Sequence, residues 1–382
     1  MKITEVKTFL VYARRQNWLF VKVETDEGIH GWGEASVEGQ ELATEVAIKT
    51  LAERSVIGED PRNVDYIWQK MYRHGFWKRG FIYNTAISGI DQAIWDIKGK
   101  MLGVPVYELL GGKVRDKIRT YTHGGPFNAK ECMDMGFAGI KTGIGNMHRT
   151  ADGKIIDTDV SDNRYKAARE YAAMLEKCRE IIGPDAILAT DHHGQSTVRD
   201  SLALIEAAKD YDLHFFEEPV TPENYQLYRQ IHDNQWNVPI AAGERLYSRY
   251  DYAQILPEGL FDIAQPDVCH CGGISELRKI GYMTEPYLIK FAPHSPNGPV
   301  ATAASMQVAA AAENFDVLEF ATTNYLCEDI YDIDLHPVDG YFKLPTKPGL
   351  GVELNEEAMK DHPYQNHQYT PRYRADGAVA EI

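Results

Sequence analysis

The sequence predicts a parallel α/β barrel joined to a smaller α+β region. Three observations predict it. The chain has 382 residues, too long for one small domain and suited to a barrel of roughly 250 residues plus a second unit. From residue 118 onward short apolar runs recur: IRTYT (118–122), FAGIK (137–141), ILAT (187–190), LHFF (213–216), PIAA (239–242), DIAQ (262–265), IKFA (289–292) and DVLEF (316–320). Most gaps between them hold a helical stretch, such as 163–182 and 197–209, and strands alternating with helices build a parallel sheet.

The first region reads differently. Residues 2–11 and 18–25 alternate, and DEG at 26–28 offers a hairpin turn before IHGWGE. Residues 41–54 and 62–73 have a helical pattern. In 85–101 the apolar residues Ile87, Ile90, Ile94, Ile97 and Met101 fall at helical spacing. These elements predict an α+β domain over 1–115 and a barrel over 116–339. The tail, 340–382, loses periodicity, and its Pro and aromatic content predicts that it packs back on the first domain. The second barrel strand is followed by a polar insertion, 143–162. A loop of that length at that end of a strand is expected to be a lid or wall of an active site.

Composition excludes several functions. Net charge is −16, which repels nucleic acid and anionic lipid. No run approaches the roughly 20 apolar residues of a membrane span. The N-terminal MKITEVKTFLVYARR alternates like a strand and lacks a small-residue cleavage site, so no signal peptide is read. The five cysteines follow no disulfide-rich pattern, and a reducing cytoplasm is expected. An anionic substrate would need local cations or a metal.

The chemistry gathers at the strand ends. ILAT ends in Asp191, LHFF in Glu217, and PIAA is followed by Glu244. DIAQ is followed by Asp267, IKFA by His294, and DVLEF carries Glu319. They recur roughly every 25 residues, the length of one strand–helix unit, which places them on the face where barrel catalysis occurs. Asp191, Glu217 and Glu244 make a hard-cation site that suits Mg²⁺. Three acids at one level, with few Lys or Arg nearby, would otherwise repel one another. Asp267 beside His294 orients the imidazole and raises its basicity, as a general base requires. His193, two residues past Asp191, is expected on the same side of an extended segment as a second acid–base group, with His192 pointing away as a structural residue.

Other signals carry less. Glu218 is expected to face outward in an ion pair. Glu319 suits either a substrate contact or a buried ion pair. Cys269-His270-Cys271 lacks a second ligand pair at zinc-finger spacing and reads as packing. Gly31 and Gly33 lack the strand-to-helix context of a nucleotide loop.

With these residues in place, the chain resembles the enolase superfamily, mandelate racemase subgroup. The resemblance spans nearly the whole chain. It rests on WGE (32–34), SGIDQAIWDIKGK (88–100), VYELLGG (106–112), DHHG (191–194), FFEEPV (215–220), AAGERLYSR (241–249), QPDVCHCGGISE (265–276), APHSPNGP (292–299) and KPGLGVE (347–353). It implies a modified TIM barrel, (β/α)7β, capped by an α+β domain. It implies Mg²⁺ on Asp191, Glu217 and Glu244, the dyad His294–Asp267 as base, and His193 as general acid. The implied reaction is dehydration of a sugar acid, an aldonate such as D-galactonate, D-mannonate or D-gluconate, to a 2-keto-3-deoxy acid. A homo-oligomer, with an octamer as the named form, is expected by the same likeness.

Two departures qualify the resemblance. Racemases of the subgroup carry Lys-x-Lys after the second strand, and here Lys141 is followed by Gly143. Gly143 cannot serve as a second base, which disfavours two-base racemisation. Gln195 follows the DHHG motif where related dehydratases carry Arg. Lys141 is a candidate for contact with the substrate carboxylate or for pairing with the acids. HGFWKRG (74–80) offers Trp77, Lys78 and Arg79 as candidate substrate contacts. A racemase, epimerase or cycloisomerase, and a non-catalytic sugar-acid-binding descendant, are the alternatives. Water loss separates the first group, and an intact acid–base set argues against the second.

Overall fold

A computed structural model describes every residue except 145, 150–154, 159–162, 236, 367–370, 375 and 382. The N-terminal region opens with an antiparallel sheet of β1 (Ile3–Tyr12), β2 (Asn17–Thr25) and β3 (His30–Glu34), in that order. The DEG turn joins β2 to β3. Helices α1 (Glu41–Leu51), α2 (Val64–Arg73) and α3 (Phe81–Leu102) follow. Most of α3 is buried, as its apolar spacing requires. A Cβ on Gly33 would lie 1.9 Å from the Gly89 carbonyl oxygen, and one on Gly31 would lie 2.1 Å from that of Ala93. The two glycines therefore let β3 and α3 approach closely; no nucleotide loop is involved.

The barrel strands are β4 (Lys117–His123), β5 (Gly139–Gly143), β8 (Ile187–Asp191), β9 (Phe215–Glu217), β10 (Ile240–Ala242), β11 (Ile263–Ala264), β12 (Lys290–Phe291) and β13 (Leu318–Phe320). They pair in parallel in the order β12-β11-β10-β9-β8-β5-β4-β13. A parallel bridge between Phe291 and Phe315, just ahead of β13, closes the ring. Seven helices fill the gaps: Ala129–Asp134, Arg164–Ile182, Val198–Ala208, Gln226–His232, Arg249–Ile255, Ile274–Thr284 and Pro299–Ala311. The result is (β/α)7β. Inward side chains fill the ring as an apolar plug that includes Tyr121, Ile187, Phe215, Ile263 and Val317.

The insertion after β5 contains an antiparallel hairpin, β6 (Asn146–Arg149) with β7 (Ile155–Thr158). Residues 145, 150–154 and 159–162 of that insertion, part of the expected lid, lie outside the described residues. Two further strands come from the last part of the chain. β14 (Tyr341–Lys343) pairs antiparallel with β4, and β15 (Arg372–Tyr373) pairs parallel with β7. Between them, the Leu350 N–H donates to Asp96 on α3, and Glu353 pairs with Lys100 and accepts from the Trp32 indole N–H.

The first region is held over the C-terminal ends of the barrel strands by buried polar contacts. Glu34 accepts from the backbone N–H groups of Gly298 (2.7 Å) and Ala301 (2.9 Å) at the start of the Pro299–Ala311 helix. Burial still pushes its carboxyl up to about 7. Asp91 accepts from both the N–H and the hydroxyl of Ser275, and the Trp68 indole donates to the Gly272 carbonyl. No described helix is long and apolar enough to cross a membrane. All five cysteines are buried free thiols.

Candidate active site

Strand pairing assembles the acids. Asp191 and Glu217 are register partners at the ends of β8 and β9, and Glu217 is likewise the partner of Ala241 on β10, three residues before Glu244. Among the described residues, the compact group of candidate metal donors is Glu217, Glu244 and His294, whose ligand atoms all lie within 4.8 Å of one another. That differs from the trio expected from the sequence. Asp191 is instead drawn to Lys141 Nζ at 3.0 Å and to His193 Nε2 at 3.3 Å.

Of the two roles expected for Lys141, the structure shows pairing with the acids. Its ammonium is buried and lies 2.9 Å from Glu217 and 2.8 Å from Glu319, as well as near Asp191. Burial lowers its pKa, but the three carboxylates outweigh burial and hold it well above the usual value. The cause is topology: β5 neighbours β8, so an inward Lys on β5 faces the acids of the next two strands.

Carboxylate oxygens are nevertheless left over. Glu217 Oε1 is buried without a hydrogen-bond partner, and so is Glu244 Oε2, which sits 3.0 Å from His294 Nε2 outside hydrogen-bond geometry. Burial, with Asp191 beside it, pushes the Glu217 carboxyl up to about 8 against the pull of Lys141. Buried, unpartnered carboxylate oxygens on neighbouring strands are hard donors, and they fit a magnesium-type cation.

One side of this cluster is the dyad. His294 Nδ1 and Asp267 Oδ2 are hydrogen-bonded at 2.7 Å, and the two residues form a parallel bridge. Asp267 also accepts from the Cys269 N–H (2.6 Å) and from Asn297 Nδ2 (3.0 Å). His270, His294 and the Cys269 N–H hold its carboxyl below the usual range despite burial. Burial lowers the His294 pKa, but Glu244, Glu319 and Asp267 raise it well above the ordinary value. A cavity of about 200 Å³ opens here, lined by His294, Glu244, His270 and Asn297, with Glu38 and Phe81 from the first region.

The other side is His193. It points toward Asp191, but not by strand alternation: its φ is 52°, a left-handed turn. Asp191 raises its pKa to about 9 against burial. His192 packs away, its Nε2 within 2.6 Å of Ser196 Oγ and its ring against Phe216. Glu218 does not face outward as expected. It is fully buried, and Arg245 pairs with it while also donating to the His193 carbonyl. Glu218 has a left-handed φ of 41°.

A larger cavity, about 320 Å³, lies on the His193 side, lined by His123, Lys141, Gly143, Asp191, Gln195 and Arg372 among others. Glu319 is the centre of an ion network, paired with Lys141 and His123 and accepting from the Ser295 N–H at 3.0 Å. Sequence reasoning missed His123, Arg372 and Gln265, whose amide donates to Glu217 Oε2 at 2.8 Å. His123 and Gln265 also close apolar runs, so position at a strand end was a usable signal for them. Trp77 and Arg79 are not brought to the site: Trp77 is 85% exposed against Phe76, and Arg79 sits 3.9 Å from Asp251. Neither lines either cavity.

Fold and site together define a barrel enzyme, and the chain belongs to the enolase superfamily. The mandelate racemase/muconate lactonizing enzyme N-terminal domain model matches residues 4–111, and the enolase C-terminal domain-like model matches 128–358. Within the superfamily this is the mandelate racemase subgroup. The chain is 41% identical to a D-galactonate dehydratase of Pectobacterium atrosepticum and 39% identical to one of Ralstonia pickettii, each over 100% of both chains. Its fold matches an enolase of Agrobacterium radiobacter, solved with Na and L-malate bound, with a TM-score of 0.89, 30% identity and 100% of both chains covered. It also matches the 3,6-anhydro-D-galactonate cycloisomerase of Zobellia galactanivorans, with a TM-score of 0.85 at 26% identity, over 96% of this chain and 100% of that one.

Proposed function

We propose that this chain is a magnesium-dependent dehydratase of an aldonic acid, D-galactonate foremost, and that it forms the 2-keto-3-deoxy acid. Full-length identity of 38 to 41% to D-galactonate dehydratases makes it a hydro-lyase. The observation that carries the reading is the placement of two imidazoles, His193 and His294, on opposite flanks of Asp191, Glu217 and Glu244.

Asp191, Glu217 and Glu244 would hold the cation, which supplies positive charge opposite the substrate carboxylate, as is general for enolase-superfamily sites. Without such charge, removing a proton α to a carboxylate is prohibitively slow. Against burial, the carboxylate that most raises the His294 pKa is Glu244, and a cation held there would offset that charge and favour the neutral imidazole. Asp267 then accepts from Nδ1, which fixes the tautomer and leaves Nε2 to take the α-proton. His193, held by Asp191 in its protonated form, gives a proton to the departing 3-hydroxyl. Lys141 and Glu319 fix the charge pattern between the two flanks. With base and acid on opposite sides, elimination is anti. Gly143 offers no group to deliver a proton from a second face, which favours elimination over racemisation.

A panel of aldonic acids incubated with protein and Mg²⁺ tests this, with keto acid read as semicarbazone absorbance. D-Galactonate is expected to give keto acid, EDTA to abolish the signal, and excess Mg²⁺ to restore it. Exchange of the α-proton in D₂O without any keto acid would replace the dehydratase by a racemase or epimerase.

A further inference from the structure

The two flanks of the site differ in room. The His193-side cavity, at about 320 Å³, falls within the usual range of small-molecule sites, about 300–1,000 Å³. Part of its width comes from Gly143, where an added Cβ would meet no heavy atom within 4 Å. Its wall includes a residue from the far end of the sequence. Arg372 is half-buried on β15, which pairs with β7; β7 pairs with β6, and β6 follows β5 after a short link. The hairpin therefore acts as a bracket. It carries the C-terminal strand across to the mouth opened by β5, and Arg372 and Gln195 both line that mouth.

The proposed reaction orients the reacting end of a substrate and leaves its distal end to be housed. The carboxylate and C2 must sit between the metal-binding acids and His294, and the 3-hydroxyl must face His193. The larger cavity, beside His193, is the space available to the carbons beyond C3. A guanidinium presents a planar fan of donors suited to adjacent hydroxyl oxygens, and the Gln195 amide offers both a donor and an acceptor. We propose that Arg372, with Gln195, forms the subsite for the distal hydroxyls of the sugar acid. The C-terminal strand thereby sets the chain length and distal configuration that the site accepts. This rests on the dehydratase reading.

The test is calorimetric binding in Mg²⁺ buffer with every protein carrying His294→Asn, which slows turnover so that binding itself is read. D-Galactonate is compared with the four-carbon acid of the same C2 and C3 configuration, which is too short to reach Arg372. In Arg372→Ala, D-galactonate is expected to bind about 10- to 100-fold more weakly, the loss of a charge-assisted hydrogen bond or two. The four-carbon acid is expected to keep its affinity, and Arg372→Lys to recover part of the loss. Gly143→Val, which fills the cavity without touching the C-terminal strand, is expected to show the same selectivity. Equal losses for both acids, or unchanged D-galactonate binding, would overturn the subsite. Binding of neither acid by the protein carrying His294→Asn alone would instead overturn the functional reading on which it rests.

Discussion

The two flanks of the site are built by opposite strategies. On the His294 side the Nδ1 face of the imidazole is anchored by a carboxylate whose own partners are defined. Asp267 is held by His294, Asn297 and a backbone N–H, and all of these come from strand ends or the segments that follow them. On the His193 side the imidazole rides a left-handed turn, beside a cavity walled by an insertion-linked strand and the chain's last segment. A base must be held in one tautomer and one orientation, and rigid elements hold it best. The acid side also has to receive the variable part of a substrate, and loops and added strands can change without disturbing the barrel. Under the proposed reaction, this difference gives proton abstraction to one flank and selectivity to the other.

The sharpest way to break this comparison is to remove the two imidazoles separately. His294→Asn should lower kcat by about 10²- to 10⁴-fold, the usual worth of a general base, and should abolish exchange of the substrate α-proton in D₂O. His193→Asn should lower dehydration by about 10²- to 10³-fold while exchange persists, because the base is untouched. Proton NMR of recovered D-galactonate reads exchange, and keto-acid formation reads elimination. Wild-type exchange in His294→Asn would show that the base lies elsewhere and that the flanks are wrongly assigned.

A smaller effect sharpens the claim about rigidity. Asn297 donates to Asp267 and, through its own carbonyl, accepts from Asn324. It touches no reacting atom, so it acts by positioning the dyad. Asn297→Ala should cost about 10- to 100-fold in kcat, the worth of a hydrogen bond to a charged group, with KM little changed. An equal rise in KM would mean that the residue shapes the pocket instead.

What the sequence made legible follows the same division. The eight barrel strands could be read because apolar runs recur at the length of a strand–helix unit, and that period survives without knowledge of tertiary contacts. Asp191, Glu217, Glu244, Asp267, His294 and Glu319 could be read as one constellation because each closes or directly follows such a run. Long-range pairing was not legible. Which acids Lys141 meets depends on β5 lying between β8, with β9 beyond it, and β4, with β13 beyond it, an order that no local pattern encodes. Arg372 lies in an aperiodic tail, and only its pairing with β7 brings it to the cavity. His193 lies beside Asp191 through a left-handed turn, not through the strand alternation that the sequence suggests. Trp77 and Arg79 were chosen for their chemistry alone, and the fold leaves them exposed.

The gentlest probe of the comparison uses two glycines on the His193 flank. Gly194 has φ of 68°, and a Cβ there would lie 2.7 Å from the Thr221 Cα, a backbone atom that cannot step aside. Gly194→Ala should therefore destabilise the fold by at least about 1–3 kcal/mol and misplace His193 beside it. Gly143 has open space in front of it, and Gly143→Ala should change stability by no more than about 0.5 kcal/mol. Chemical denaturation with matched m-values measures both. The contrast would show that the turn carrying the acid is fixed while the cavity wall beside it is free to vary. A large loss in Gly143→Ala would mean that the wall is as tightly built as the base side, and the division between a rigid flank and an adaptable one would fail.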